Sequence, residues 1–382
     1  MPIPMQPVIT MQMRRFSYWE SELPPEPLPA RELPRRVDIL IVGAGFMGRW
    51  LAYFLSKRTQ PARILVIDRD RFSYGASSRN AGFITCGQVS EMLADVEHAG
   101  QDRVIETFMQ RREGIAIARE VLPDFHIDPC GSTDYDPVTD DKLALMAKLN
   151  EAAGDEIFSV RAARIGQAVR PCIFNNADGA VHPVKLLRVL QGRASGAGFE
   201  FGVNAVKVKD GVAELETIGG HHELAYGRAF ICTNGFASEL DSESRVQPGR
   251  GQVIVTSKIH TRTDRTLGYL NAGYDYFRFV DERLLIGGGR DKFKTEQNTR
   301  ELESTGEVCE YLKQVAAEVI GHTDWQVEHQ WAGIMGFVAG EHLGGSPRKR
   351  LDDKTEAIAG FGGMGVALTP LYAKQIAAED WV

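Results

Sequence analysis

Cysteine is scarce in this 382-residue chain: there are five, at positions 86, 130, 172, 232 and 309, far apart and without a CxxC pair. That excludes a disulfide framework and the usual zinc spacings, and it fits a reducing compartment. Basic runs are scarcer still. Nothing longer than "PRKR" at 347–350 stands against a formal charge of −7, so no nucleic acid or other polyanion is expected as a partner. No uninterrupted apolar run approaches the roughly 20 residues of a membrane span. The opening "MPIPMQPVITMQMRRF" places its arginines after a weak apolar stretch broken by prolines, the reverse of a secretory signal. A soluble cytoplasmic protein is the expectation.

What the chain does hold is apolar mass and glycine: 43% hydrophobic residues and 39 glycines, enough for more than one ordinary module. Residues 1–36, with "ELPPEPLPARELP", predict an extended arm over the surface, neither helical nor part of the core, so the ordered fold is expected to begin near Val37. Helical spacing runs over Leu93–Leu122 and Asp140–Ala153. A helix opened by proline follows in 182–198. Hairpins are expected to turn at Asp210-Gly211 and at Asp281-Glu282, with a buried strand in "RAFICTNG" between them. A further helix is predicted in 300–320, and the chain ends with a strand, a glycine cluster and a helix. The order predicts an α/β fold: a Rossmann-type domain over 37–92, 150–250 and 345–382, interrupted by an α+β domain with an antiparallel sheet over 93–149 and 251–344.

"VDILIVGAGFMGRW" (37–50) supplies the nucleotide signal. The spacing Gly43-x-Gly45-x-x-Gly48 gives a tight turn, a bare backbone for a pyrophosphate, and room for the helix to pack on its strand. A continuous apolar strand precedes it, and Met47, Trp50, Leu51, Phe54 and Leu55 share one helical face after it. "RILVID" makes the next strand. It ends at Asp68, 20 residues past Gly48, where a carboxylate can accept from a ribose. An acid here argues against a 2′-phosphate, and so against NADP.

The next segment, "RFSYGASSRNAGF" (71–83), resembles the D-amino-acid oxidase-like family of FAD-dependent amine oxidoreductases. The likeness continues in order through "GAVHPVKLLRVL", "RAFICTNGFAS", "PGRGQVIVT", "YFRFVDERLLIGGGR", "WAGIMGF" and "GFGGMGVALTP", covering roughly 37–378. It implies FAD as cofactor. Its ADP half would lie on Gly43, Gly45, Phe46, Met47, Gly48, Asp68 and Arg69, with Val206 against the adenine. Ala76, Ser77, Ser78, Arg79, Asn80, Ala81 and Gly82 would follow the phosphates and the ring, with Thr233 and Gly235 in a supporting turn. Gly362, Gly363, Met364, Gly365 and Val366 would open the last helix towards the flavin, whose reduced form carries negative charge that a helix N-terminus favours.

The chemistry implied is oxidation of the C–N bond of an amine or amino acid, by hydride transfer to flavin N5 and hydrolysis of the imine, with oxygen or another electron acceptor. Glycine-oxidase-like members clamp the substrate carboxylate with an arginine in the "WAGLR" strand, where this chain has Met335. That departure favours an amine, or a substrate anchored elsewhere, as in γ-glutamylputrescine oxidase-like members, whose "SYWE"-type segment this chain shares. Tyr276, Arg278, Trp331 and Met335 are the candidates for the substrate cavity, and Arg278 or Arg290 the candidate cations. The family's cysteine for covalent flavin attachment and its lysine for oxygen activation are absent, so FAD is expected to be non-covalent. Oligomeric state stays open. The rival readings are a flavoprotein subunit of a hetero-oligomer and an FAD-dependent hydroxylase.

Overall fold

The computed structural model describes residues 16–23, 32–60, 62–70, 75–259, 265–340, 343 and 347–379. Among these the strands form two eight-stranded sheets and a two-stranded ribbon. Strand Arg36–Val42 alternates its side chains between two cores, with Val37, Leu40 and Val42 on one side and Ile41 on the other. Burial on both faces suits parallel pairing. It runs parallel to Ile64–Asp68 and Gly220–Ile231, and the parallel set extends to Ala197–Phe201 and Thr355–Ile358. Helices Phe46–Ser56, Gln101–Val121, Pro183–Arg193 and Gly365–Ala378 contribute Trp50, Leu51, Phe108, Leu187 and Ala373 to the core on one side. On the other, Asn204–Lys209 and Val212–Thr217 form a hairpin whose turn, Asp210 and Gly211, has φ of 53° and 91°. Two left-handed residues are what a two-residue hairpin loop requires.

The second sheet runs in the order Val327–Val338, Val246–Thr256, Arg283–Gly288, Asp275–Val280, Leu267–Leu270, Ser132–Asp134, Ala168–Asn175, Phe158–Ile165. Helix Gly306–Ile320 covers one face, setting Val308, Leu312 and Ala316 in a core with Ile254, Phe277 and Ile286. The other face turns inward, where Val253, Val255, Tyr269, Leu285 and Trp331 form a fourth core with Ala81 and Phe83.

Two boundaries differ from those expected from the sequence. The hairpin within 158–175 belongs to the second sheet, although 150–250 was assigned to the first domain, and helix Gln101–Val121 packs with the helices of the first, although 93–149 was assigned to the second. A hairpin's own pattern pairs its two strands but does not name the sheet edge it joins; here that edge is Ser132–Asp134.

The larger departure is N-terminal. Residues 1–15 and 24–31 of the expected arm lie outside the described residues. Between them Tyr18–Glu22 is helical, and Ser17, Tyr18, Trp19 and Glu20 are buried. The Ser17 hydroxyl accepts from the Glu20 N–H at 3.2 Å and the Glu20 carboxylate accepts from the Ser17 N–H at 2.9 Å, a capping box that satisfies two otherwise orphaned donors. The prolines flank this turn and do not enter it. No helix among the described residues is long and apolar enough to cross a membrane.

Candidate cofactor cradle and substrate face

The C-terminal ends of Arg36–Val42, Ile64–Asp68 and Gly220–Ile231 open a cleft lined by Gly43, Gly45, Asp68, Arg69, Ala76, Ser77, Val203, Asn204, Ala205, Thr233 and Phe236 among others. Such crevices at strand ends are where open α/β sheets bind ligands. Gly43 sits at φ 107°, and a Cβ there would stand 2.7 Å from the Cys232 carbonyl. A Cβ on Gly48 would drive into the Gly43 carbonyl, so the turn and the helix close on each other only as glycines. Phe46 and Met47 open the helix and are buried; the Phe46 N–H donates to Ser77 Oγ at 3.0 Å. Gly45 at the N-cap has no side chain to cap the helix, whose N-terminus faces the cleft and is a natural anion seat.

Asp68 closes the same turn: its carboxylate accepts from the Ala44 N–H at 2.8 Å and the Asp70 N–H at 3.0 Å, and burial raises its pKa. Arg69 lies over the Phe236 ring at 4.4 Å and pairs with Glu239 at 2.9 Å. Thr233 Oγ1 is buried without a hydrogen-bond partner among the described residues. Val206 is a correction: it is 46% exposed and does not line the cleft, whereas Val203, Asn204 and Ala205 do. Only the beginning of strand Asn204–Lys209 reaches the cleft.

Past the cleft, Ala76 and Ser77 face the opening while Ser78 and Arg79 turn away, into the N-terminal helix. Glu20 accepts from Ser78 Oγ at 2.7 Å and from Arg79 Nη1 at 3.0 Å. Trp19 Nε1 donates to the Asn80 carbonyl at 2.8 Å, and Ser17 Oγ to that of Ser78 at 2.8 Å. The Asn80 side chain donates to the carbonyls of Ala76 and Ser77 and accepts from the Gly82 N–H. Ala81 is buried between the sheets.

The register of the second sheet puts Tyr276, Arg278, Trp331 and Met335 on its inner face. Two of them serve structure rather than a substrate wall, contrary to expectation. Trp331 is fully buried and donates to the Arg79 carbonyl at 2.9 Å; Arg278 donates to the carbonyls of Gly82 at 3.1 Å and Val181 at 3.0 Å. The other two pack over glycines of the neighbouring strands. A Cβ on Gly251 would stand 2.9 Å from Met335 Cε and 3.7 Å from the Tyr276 hydroxyl. No hydrogen bond engages that hydroxyl among the described residues, and burial pushes its pKa up to about 12, so it stays a donor. Gly235 backs the Met335 carbonyl. The Gly362 N–H donates to the Gly336 carbonyl at 2.8 Å, Gly363 faces open space, and Met364, Gly365 and Val366 begin the last helix. Thus the last glycine cluster abuts the end of the strand that carries Met335.

A family profile described as FAD dependent oxidoreductase (DAO) matches residues 38–379. The chain belongs to this family. Among its DAO relatives, the "Probable oxidoreductase OrdL" of Rhizobium meliloti is 25% identical over 95% of this chain and 87% of its own, and the gamma-glutamylputrescine oxidoreductase of Escherichia coli is 24% identical over 89% and 82%. The crystal structure of glycine oxidase from Geobacillus kaustophilus superposes with a TM-score of 0.71 at 18% identity, covering 90% of this chain and 94% of that one. This DAO chain is therefore an FAD-dependent oxidoreductase. Ser17, Trp19 and Glu20 fall in the "SYWE" segment and Phe236 in "RAFICTNGFAS", both given above only as points of resemblance, and Glu239 had no expected role. Of these only Ser17 and Glu20 carried a legible signal, the S-x-x-E spacing of a capping box.

Proposed function

We propose that this enzyme oxidises the C–N bond of an amine or amino acid, the resulting imine being hydrolysed. The observation that carries the reading is the inner face of the second sheet, where the free Tyr276 hydroxyl and Met335 stand over the bare backbone of Gly251, beside the loop that ends at Gly82. The names of the relatives, an oxidoreductase of γ-glutamylputrescine and an oxidase of glycine, support it.

The residues present fit the cofactor. Gly43, Gly45 and Gly48 with Asp68 would hold the ADP half of non-covalent FAD, the uncapped helix N-terminus its pyrophosphate, and Thr233 would gain there the partner it lacks. Gly363 and the start of the last helix would lie at the other end. Bound FAD supplies a two-electron acceptor for the hydride leaving the substrate's α-carbon. The chain's own tasks are orientation and exclusion of water. Arg278 and Trp331 lock the sheet onto the Arg79–Gly82 loop, Met335 supplies an apolar wall that disfavours a charged ammonium, and Tyr276 donates a hydrogen bond. A small amine or amino acid and an electron acceptor are the partners required.

The test is anaerobic mixing of the FAD-loaded protein with amines, polyamine derivatives and amino acids while flavin absorbance is followed. Bleaching by at least one of them is expected. Reduction by NADPH with no amine present, and by none of the amines, would replace this reading with a hydroxylase.

A further inference from the structure

We propose that Arg69, Glu239 and Arg300 form an ionic latch across the mouth of the cofactor cleft, which opens for FAD to enter or leave. Strand Arg36–Val42, which leads into the glycine turn, lies between Ile64–Asp68 on one side and Gly220–Ile231 on the other. Arg69 is the first residue past Ile64–Asp68, and Glu239 ends the short 3₁₀ helix Asn234–Glu239 that follows Gly220–Ile231. Their side chains meet at 2.9 Å. The pair therefore joins the two strands that flank the glycine turn, and both residues line the cleft with Gly43, Gly45 and Asp68. The Arg69 guanidinium also lies 4.4 Å from the centre of the ring of Phe236, on the same 3₁₀ helix as Glu239, a cation–π contact that steadies the span.

The other oxygen of Glu239 reaches towards the second sheet, where it accepts from Arg300 Nη1 at 3.0 Å. Arg300 stands outside the cleft lining, in the segment between helices Lys294–Gln297 and Gly306–Ile320. That segment is tied to strand Val246–Thr256 on both sides of Arg300. Arg250 donates to the carbonyls of Glu296 at 3.2 Å and Glu303 at 2.7 Å, and Gln252 accepts from the Thr305 N–H at 2.7 Å. Arg250 and Gln252 are buried, so Arg300 hangs from a fixed base. One carboxylate thus binds a cation from each of the two layers that enclose the cofactor.

The side chains of Arg69, Glu239 and Arg300 are 35%, 39% and 46% exposed. Pairs so exposed stabilise a fold little and are screened by salt, which suits a closure that has to open. Two guanidinium groups on one carboxylate also leave positive charge in excess at the mouth, and this attracts the diphosphate of an approaching FAD. The latch concerns the cofactor alone, so it stands or falls apart from the amine chemistry proposed above.

The experiment follows FAD fluorescence as the loaded protein releases its cofactor on dilution, and as the protein freed of FAD rebinds it. The unsubstituted chain is compared with Glu239→Gln, Arg300→Gln and the double variant. In Glu239→Gln both release and rebinding are expected to quicken, each roughly 3- to 10-fold, the worth of two exposed ion pairs, with a smaller change in the dissociation constant. Arg300→Gln should quicken both by a lesser factor and add nothing once Glu239 is glutamine. Added salt should speed release from the unsubstituted protein more than from Glu239→Gln. Faster release with unchanged rebinding makes Glu239 an ordinary contact of FAD and overturns the latch. Unchanged rates in Glu239→Gln, no effect of Arg300→Gln, or effects of the two that simply add overturn it as well.

Discussion

Arg79 and Glu20 meet at 3.0 Å with side chains 1% and 0% exposed. The pair joins the N-terminal helix to the loop that follows the nucleotide cleft, and both members hold further hydrogen bonds. Removing one member leaves a buried charge, which costs about 3–5 kcal/mol. Glu20→Ala should therefore lower the urea midpoint strongly and release FAD during desalting, whereas Glu20→Gln, which keeps an acceptor, should lose less. An unchanged midpoint in Glu20→Ala would refute this account of the helix.

Thr233 gives a prediction of opposite sign for the two states of the protein. Its hydroxyl is buried and unpartnered, so Thr233→Val should leave the FAD-free protein equally or more stable. The same substitution should weaken FAD binding by roughly 5- to 10-fold, the worth of one hydrogen bond of about 1 kcal/mol. Thermal unfolding without FAD and fluorescence titration with it measure the two halves separately.

Gly48 tests the cradle's geometry. Since a methyl group there meets the Gly43 carbonyl, Gly48→Ala must push helix Phe46–Ser56 off its strand. The expected protein retains its secondary structure by circular dichroism but elutes colourless, without bound flavin. A yellow Gly48→Ala protein with wild-type flavin content would mean that the turn relaxes more easily than this packing allows.

His182 sets an acid limit. Its Nδ1 accepts from the Lys185 N–H at 3.2 Å at the N-cap of helix Pro183–Arg193, against the Trp19 ring. Burial, helped by Lys185, pulls its pKa down to about 4. The neutral ring is thus the form that stabilises the fold. Its contribution is whole above the ordinary histidine value of about 6.5 and drains away as pH falls towards 4. His182→Asn keeps a capping acceptor without the titration. The difference in stability between the two proteins should be flat above pH 7 and narrow or reverse between pH 6.5 and 4.

What could be read from the sequence was what short-range geometry determines. The glycines of 43–48 and the turn at Asp210-Gly211 are dictated by backbone sterics within a few residues, and their spacing is visible without a fold. Placement in the sheet was harder. Val206 misses the cleft because only the start of its strand and the residue before it, Val203 to Ala205, reach the opening, and where a strand meets a cleft is set by the sheet around it. Trp331 and Arg278, expected at the substrate cavity, instead hold the Arg79, Gly82 and Val181 carbonyls, partners set by how two sheets dock, which no local pattern records. The helix Tyr18–Glu22 is five residues long, too short for an apolar period, and its stabilising contacts come almost wholly from distant chain.

Those contacts have a consequence for how the protein is made. Ser17, Trp19 and Glu20 wait for Ser78–Asn80, and the Tyr18 hydroxyl for Asp281, which it meets at 2.7 Å across 263 positions of sequence. Contacts of such separation form late, because loop closure must be paid for before they repay it. The helix Tyr18–Glu22 is thus among the last elements to dock, well after the strands it rests on have paired.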